Sequence, residues 1–329
     1  MNYKNFIVFS CLVITMYPIT GCKKKAAAVV PLTGTWIERS NFEGVARSNA
    51  VAFAIKDTAY VGTGFDGTKR LKDFWKYDPV LDFWTQKADF PGVARNEAMG
   101  FGVGNKGYIG TGYDGSIMYN DFYEYDPYRN LWTAKANFGG TARYGGTAFS
   151  INNKGYAGTG FDGNNKKDVW KYDPAIDQWT QIVSIGGEKR VNATSFVIGN
   201  KGYITTGIYN GVYLNDTWEY DTTSGTWTAK APLSADINGD GIIDYDVRRS
   251  DGVGFTLNGL GYIVTGFYLN APLNSGFVFD PVANTWTQVN LFAGINRMDA
   301  VSFNVKNRAF VVTGKYINTR LDDIWEFTP

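Results

Sequence analysis

Tryptophan recurs at positions 36, 84, 132, 179, 227 and 286, at spacings of 48, 48, 47, 48 and 59 residues. The segment "FWTQKADFPGVARNEAMGFGVGNKGYIGTGYDGSIMYNDFYEYDP" is followed by "LWTAKANFGGTARYGGTAFSINNKGYAGTGFDGNNKKDVWKYDP", in the same frame. A repeat of this length confines the chain to stacked or radial units, because one unit cannot bury its own apolar faces. Six copies are present, and the fifth carries an insertion, "DINGDGIIDYD".

Each copy reads as four strands. The first follows an Arg and alternates small with large residues, as in "RNEAMGFGV". Its central large residue is always Phe, at 53, 101, 149, 196, 255 and 303. Apolar residues on both sides of a period-two pattern predict a strand buried on both faces. Bulky side chains of one sheet are expected to fit against small ones of the next. The second strand ends in Thr-Gly, the third resembles "DFWKYDP" and turns at Asp-Pro, and the fourth carries Trp-Thr or its equivalent. All ten tryptophans fall in third or fourth strands and read as packing anchors.

These features predict an all-β fold of six four-stranded antiparallel sheets around an axis, a six-bladed β-propeller. The repeats begin on a fourth strand (Trp36) and end on a third (Trp325), so the N-terminal strand should complete and cover the last sheet. Across residues 34–329 the frame resembles the kelch repeat, with Thr63-Gly64 and Thr111-Gly112 where that family has Gly-Gly. The resemblance implies a six-bladed kelch-type propeller, like the galactose oxidase central domain or a bacterial sialic acid mutarotase. Copper galactose oxidase chemistry is excluded, because that site needs His ligands and the chain has no histidine. The same lack removes Ser-His-Asp triads and imidazole acid–base chemistry.

Residues 1–21 read as a signal peptide: Lys4, then the short apolar run "FIVFSCLVITMYPI". It ends in "ITGC", which resembles the lipobox of bacterial lipoproteins, with Cys22 as the acylated residue. Residues 22–33 form a tether. The expected location is the bacterial cell envelope, lipid-anchored at the outer membrane, with that lipid the only membrane contact. A net charge of +1 without a basic block gives no electrostatic case for nucleic acid. No nucleotide cofactor is expected, and the chain reads as a monomer.

The loops between strands two and three share one face with the loops that enter each first strand. Six arginines begin those first strands on that face, Arg47, Arg95, Arg143, Arg190, Arg249 and Arg297, each six positions before its Phe. They read as a ring for a carboxylate or phosphate. Alternatively they pair with loop carboxylates: Asp66, Asp114 and Asp162 of the Asp-Gly turns, or Glu97, Asp251 and Asp299. Aromatics beside Asp or Asn, including Tyr113 and Tyr209, suit a sugar-binding rim; the Asp-Gly pairs are also ordinary turn chemistry.

The insertion, spanning 234–247, matches the Ca²⁺-loop pattern at Asp236, Asn238, Asp240, the Ile242 carbonyl and Asp244, with Gly241 at the turn. Val247 stands where a bidentate acid is usual, and Asp246 lies one place early. Structural Ca²⁺ is therefore expected, with a solvated acidic loop as the alternative.

The function expected from these features is non-catalytic binding of a glycan or protein on the Arg-ring face. One alternative is an enzyme on acidic sugars, with Glu97 and Asp251 or Asp299 moving a proton and the arginines holding a carboxylate. An Arg-paired carboxylate would be a poor base near neutral pH. A scaffold in an envelope complex is the third reading.

Overall fold

The computed structural model describes residues 33–234 and 247–329. Blade one runs from the axis outward as Val51–Ile55, Thr58–Gly62, Phe74–Asp78 and Phe83–Lys87. Blades two to five repeat this order, starting from Met99–Val103, Thr147–Ile151, Thr194–Ile198 and Val253–Leu257. Blade six comprises Val301–Val305, Arg308–Val312 and Ile324–Thr328, and takes Thr35–Arg39 as its outer strand. Trp36 pairs opposite Phe327 there, so the N-terminal strand closes the ring as expected. The innermost strands pack on one another in a closed circuit from blade one round to blade six. All sheets are antiparallel, and the fold is a six-bladed β-propeller.

The Phe of each inner strand is buried, and the small residues between are half-buried. The small side lines the central channel, with Ala52, Gly100, Ala148 and Gly254 around one cavity. This modifies the expectation of two sheet-packed faces: one face packs on the next blade and the other borders the axis. The large side does meet small residues, but on the second strand of the following blade. A Cβ on Gly155 would sit 2.1 Å from the Phe101 ring, and one on Gly107 2.2 Å from Phe53. That approach explains why the position is Gly or Ala in every copy.

The second strand stops one residue before its Thr-Gly pair. Thr111 has φ 62° and Gly112 φ 96°, and a Cβ at Gly112 would meet the Asn96 carbonyl at 2.9 Å. The pair is therefore the turn itself. The inner strands also begin later than the sequence suggests, with Met99 four residues after Arg95. Glu97, in between, is left-handed with φ 53° and breaks the extended run.

The tryptophans act as anchors between blades. Nε1 of Trp132, Trp227 and Trp286 donates to the carbonyls of Ala88, Val183 and Ala231 on the preceding blade at 2.9, 2.9 and 3.0 Å. These rings pack edge-on against Phe and Tyr neighbours, as Trp132 does on Phe74 and Phe90. Such pairs contribute beyond their buried area.

Candidate functional site

The six arginines do not ring the channel mouth. Arg47, Arg95, Arg190 and Arg297 are fully buried, and Arg143 and Arg249 are 1% exposed. In each, Nε donates to the carbonyl two residues earlier and Nη1 to the carbonyl of the Thr just after the second strand, as Arg47 does to Val45 and Thr63. In five of the six the fork then grips a carboxylate that precedes the third strand, and in Arg249 it meets Ser275 instead. Arg297 reaches Asp323 with both contacts at 2.6 Å, and Arg47 reaches Asp73 at 2.7 and 2.6 Å. Arg143 pairs with Asp168, Arg190 with Asp216 and Arg95 with Asp121 in the same way.

Two corrections follow. The arginines are internal clamps that tie each blade's entry to its third strand, and they offer no ring to a ligand. Nor are their partners Asp66, Asp114, Asp162, Glu97, Asp251 or Asp299. The true partners lie 25 or 26 residues on. Burial opposes ionisation of Asp73 and Asp168, yet the hydrogen bonds and charge of Arg47 and Arg143 hold both below the ordinary carboxylate range.

The residue two after each arginine forms the real axial ring: Asn49, Glu97, Gly145, Asn192, Asp251 and Asp299. All six are left-handed, with φ between 53° and 62°. Their backbones close a circle of hydrogen bonds: Asn49 N donates to Asp299 O, Glu97 N to Asn49 O, Gly145 N to Glu97 O, Asn192 N to Gly145 O, Asp251 N to Asn192 O and Asp299 N to Asp251 O, at 2.8–3.2 Å. The left-handed turn aims each amide at its neighbour's carbonyl and projects each side chain into a cavity of about 120 Å³ on the axis.

Glu97, Asp251 and Asp299, the three acids anticipated from sequence, meet in this cavity. Asn49 and Asn192 complete it and were missed, although they occupy the same repeat position. Burial, then the charge of Asp299, pushes the Glu97 carboxyl up to about 7. Burial and Asp299 also raise Asp251, which accepts a hydrogen bond from Ser250 Oγ at 2.5 Å. Lys315 Nζ pairs with Asp299 at 2.9 Å. Glu97 Oε1 accepts from Asn96 Nδ2 at 3.2 Å, while its buried Oε2 has no hydrogen-bond partner among the described residues. That oxygen overlies Gly145, where a Cβ would approach it to 3.2 Å. The one ring position without a side chain makes room first for Asn192 Oδ1 and Val191 Cγ2, which a Cβ would approach to 2.4 and 2.5 Å, and then for Glu97.

Aromatic and cationic side chains rim this mouth. Tyr113 and Tyr144 lie 5.3 Å apart, Tyr144 and Phe161 5.5 Å, and Tyr213 and Tyr268 5.1 Å. Tyr209 sits half-buried in the hairpin that pairs Ile208–Tyr209 with Val212–Tyr213. Arg70 and Arg320 lie over the Phe65 ring at 4.6 and 5.0 Å, and neither forms an ion pair among the described residues. Arg70 Nε donates to Asn96 Oδ1 at 3.1 Å, linking the rim to Glu97. Lys315, Arg70 and Arg320 were not found from sequence, although Arg70 and Arg320 share one repeat position, three residues before Asp73 and Asp323.

Asp66, Asp114 and Asp162 shape the rim as turn residues. Asp66 Oδ1 accepts from the amides of Thr68 and Lys69 at 2.7 and 2.8 Å. Asp114 accepts from Ser116 and Ile117, and from the Tyr119 hydroxyl at 2.6 Å. Asp162 accepts from the Thr141 hydroxyl and pairs with Lys166, each at 2.6 Å. Their oxygens are largely committed to the protein.

Cys22 and the calcium-loop residues Asp236, Asn238, Asp240, Ile242, Asp244 and Asp246 lie outside the described residues. Among the described residues no group of three or more acidic or thiol side chains is arranged to hold a metal ion.

No family model matches the chain, and no curated protein matches it. Among the solved structures that do match, one titled "Structure of YjhT" superposes with a TM-score of 0.74 at 17% identity, covering 86% of this chain and 95% of that one. At that identity the likeness shows the shared propeller fold.

Proposed function

We propose that the chain binds a glycan at the axial mouth, with the acid and amide ring taking hydroxyls and the rim taking ring faces. The observation that carries this reading is the convergence of Asn49, Glu97, Asn192, Asp251 and Asp299 on one small cavity, with a Glu97 oxygen left without a protein partner. Paired donors and acceptors beside aromatic faces match the alternating polar and apolar surfaces of a sugar. Because Glu97 and Asp251 hold their protons more tightly than ordinary carboxyls, the mouth is less negative than its acids suggest. Arg70 and Arg320 offer a cationic edge for an acidic substituent, in place of the six buried arginines.

The test is a thermal-shift titration with neutral and acidic monosaccharides. A saccharide-dependent rise in Tm, lost in Glu97→Gln combined with Asn192→Ala, supports the site. Arg70→Ala should lower affinity for the acidic sugar about tenfold while sparing the neutral one, since one charge-assisted contact is worth about 1.5 kcal/mol. A saccharide response that survives the Glu97–Asn192 double variant overturns it.

A second reading, an enzyme moving a proton on a sugar, is favoured by the carboxyl of Glu97 itself. An acid that titrates near 7 is matched to proton transfer at neutral pH. The objection that Arg95 would depress it does not hold, because Arg95 is turned away onto Asp121. NMR exchange between anomers of a bound sugar, abolished by Glu97→Gln, would distinguish an enzyme from a binder.

On sequence grounds the proposal extends to a lipid tether at Cys22 in the bacterial envelope and to Ca²⁺ in the 236–246 loop. Ca²⁺ should raise the Tm of the wild type and leave that of Asp240→Ala unchanged; equal shifts in both would remove the metal from the proposal.

A further inference from the structure

Blade five breaks the clamp. Where the other blades have Asp73, Asp121, Asp168, Asp216 and Asp323, it has Ser275. Phe277 follows where Trp75, Trp170, Trp218 and Trp325 donate to their aspartates. Between them stands Gly276, against Phe74, Val169 or Ile324 elsewhere. The third strand of this one blade has lost volume and its negative charge together.

The arginine has stayed. Arg249 is 1% exposed. Its Nε donates to Val247 O at 3.2 Å, Nη1 to Thr265 O at 2.8 Å and Ser275 O at 3.0 Å, and Nη2 to Ser275 Oγ at 2.9 Å. A guanidinium has five N–H groups, so one on Nη2 is left over. Among the described residues no carboxylate pairs with it. A buried cation without a counter-charge is costly. Beside it opens a cavity of about 230 Å³, walled by Val247, Leu273, Phe277 and Tyr268, with Ser275 and Gln288 adding polar groups beside the guanidinium. Phe277 lies under the guanidinium at 5.0 Å.

We propose that this cavity is a binding site for a small free monocarboxylate, which occupies the place of the missing aspartate. One oxygen would take the spare Nη2 proton. The other would take the Ser275 hydroxyl proton, which is available because that oxygen accepts from Nη2. A single cation and apolar walls select a singly charged anion with a short aliphatic tail over a phosphate or sulfate, whose second charge would find no partner.

The experiment replaces sodium chloride with sodium acetate at constant ionic strength and follows Tm by calorimetry, with ¹³C-acetate titrated by NMR in parallel. Acetate is expected to raise the wild-type Tm saturably by about 2–4 °C, while chloride and sulfate do not. Ser275→Asp, which restores the other blades' carboxylate, should raise Tm without acetate and abolish both the acetate response and acetate binding. Glu97→Gln should leave the acetate response intact, separating this site from the axial one. Absence of saturable acetate binding to the wild type, or an undiminished acetate response in Ser275→Asp, overturns the proposal. If Ser275→Asp does not fold, the wild-type NMR titration against chloride and sulfate decides alone: binding without acetate selectivity counts against the site.

Discussion

Replacing Arg297 by methionine is expected to destabilise the propeller by about 3–5 kcal/mol, the usual cost of removing one partner of a buried ion pair. The side chain is fully buried, and it holds Asp323 at 2.6 Å together with the carbonyls of Ile295 and Thr313. Without it, the Asp323 carboxylate, only 17% exposed, loses its counter-charge, and the buried Thr313 carbonyl and the part-buried Ile295 carbonyl lose donors. Methionine keeps the bulk over Phe292, which the guanidinium now covers at 4.7 Å, so the loss should reflect charge and hydrogen bonding more than packing. Adding Asp323→Leu should recover much of the loss, because the orphaned carboxylate goes with it. Recovery should stay incomplete, since Trp325 Nε1 donates to that carboxylate at 2.7 Å. Urea unfolding midpoints of the wild type, the single and the double variant give the coupling directly. A single-variant loss below about 1 kcal/mol would show that water replaces the clamp, as at surface pairs.

The axial acids should give the protein an unusual pH profile. The Glu97 carboxyl lies at about 7 in the fold against an ordinary value of 4.5. Its proton is therefore held by the folded chain and released by the unfolded one between those values. Stability from this group is fully present below about 4.5 and is lost as pH rises through about 7, a change of about 3 kcal/mol. Asp251, also raised, acts with the same sign. Asp73, Asp168, Glu219 and Glu326 act oppositely, because their carboxyls are lowered and their contribution disappears as pH falls into the acid range. In Glu97→Gln the decline in urea midpoint from pH 5 to pH 8 should shrink markedly, with the variant the more stable at pH 8. An unchanged slope would mean that Glu97 titrates as an ordinary carboxyl and would also remove the support for a proton-transferring enzyme.

The architecture was legible because each blade repeats the same packing problem. The Phe at 53, 101, 149 and their counterparts must meet a small residue on the next blade, so Gly or Ala recurs at 107, 155 and 202. The fourth-strand tryptophans 84, 132, 179, 227 and 286 mark strands because each latches to the blade before it. Closure by the N-terminal strand followed from the phase of the repeat, which begins on a fourth strand and ends on a third.

The site was legible only in part. Glu97, Asp251 and Asp299 stood out as acids, but Asn49, Gly145 and Asn192 at the same repeat position are chemically unlike them. What unites the six is a left-handed backbone and a ring of amide-to-carbonyl bonds, and side-chain chemistry does not announce either. The arginines misled for the opposite reason. Their regular spacing suggested one shared ligand, whereas each serves its own blade. A signal did exist: an acid 25 or 26 residues on, just before the third strand, present in five blades and replaced by Ser275 in the fifth.

The sequence alone therefore determined the number of blades, their strand order and the closure, because these rest on periodic burial, which every copy must satisfy. Only the tertiary structure decided which charges face the axial mouth. Whether a guanidinium meets solvent or a carboxylate depends on where a distant turn brings that carboxylate. A pair that buries itself costs nothing in the repeat pattern, yet removes its charge from the surface.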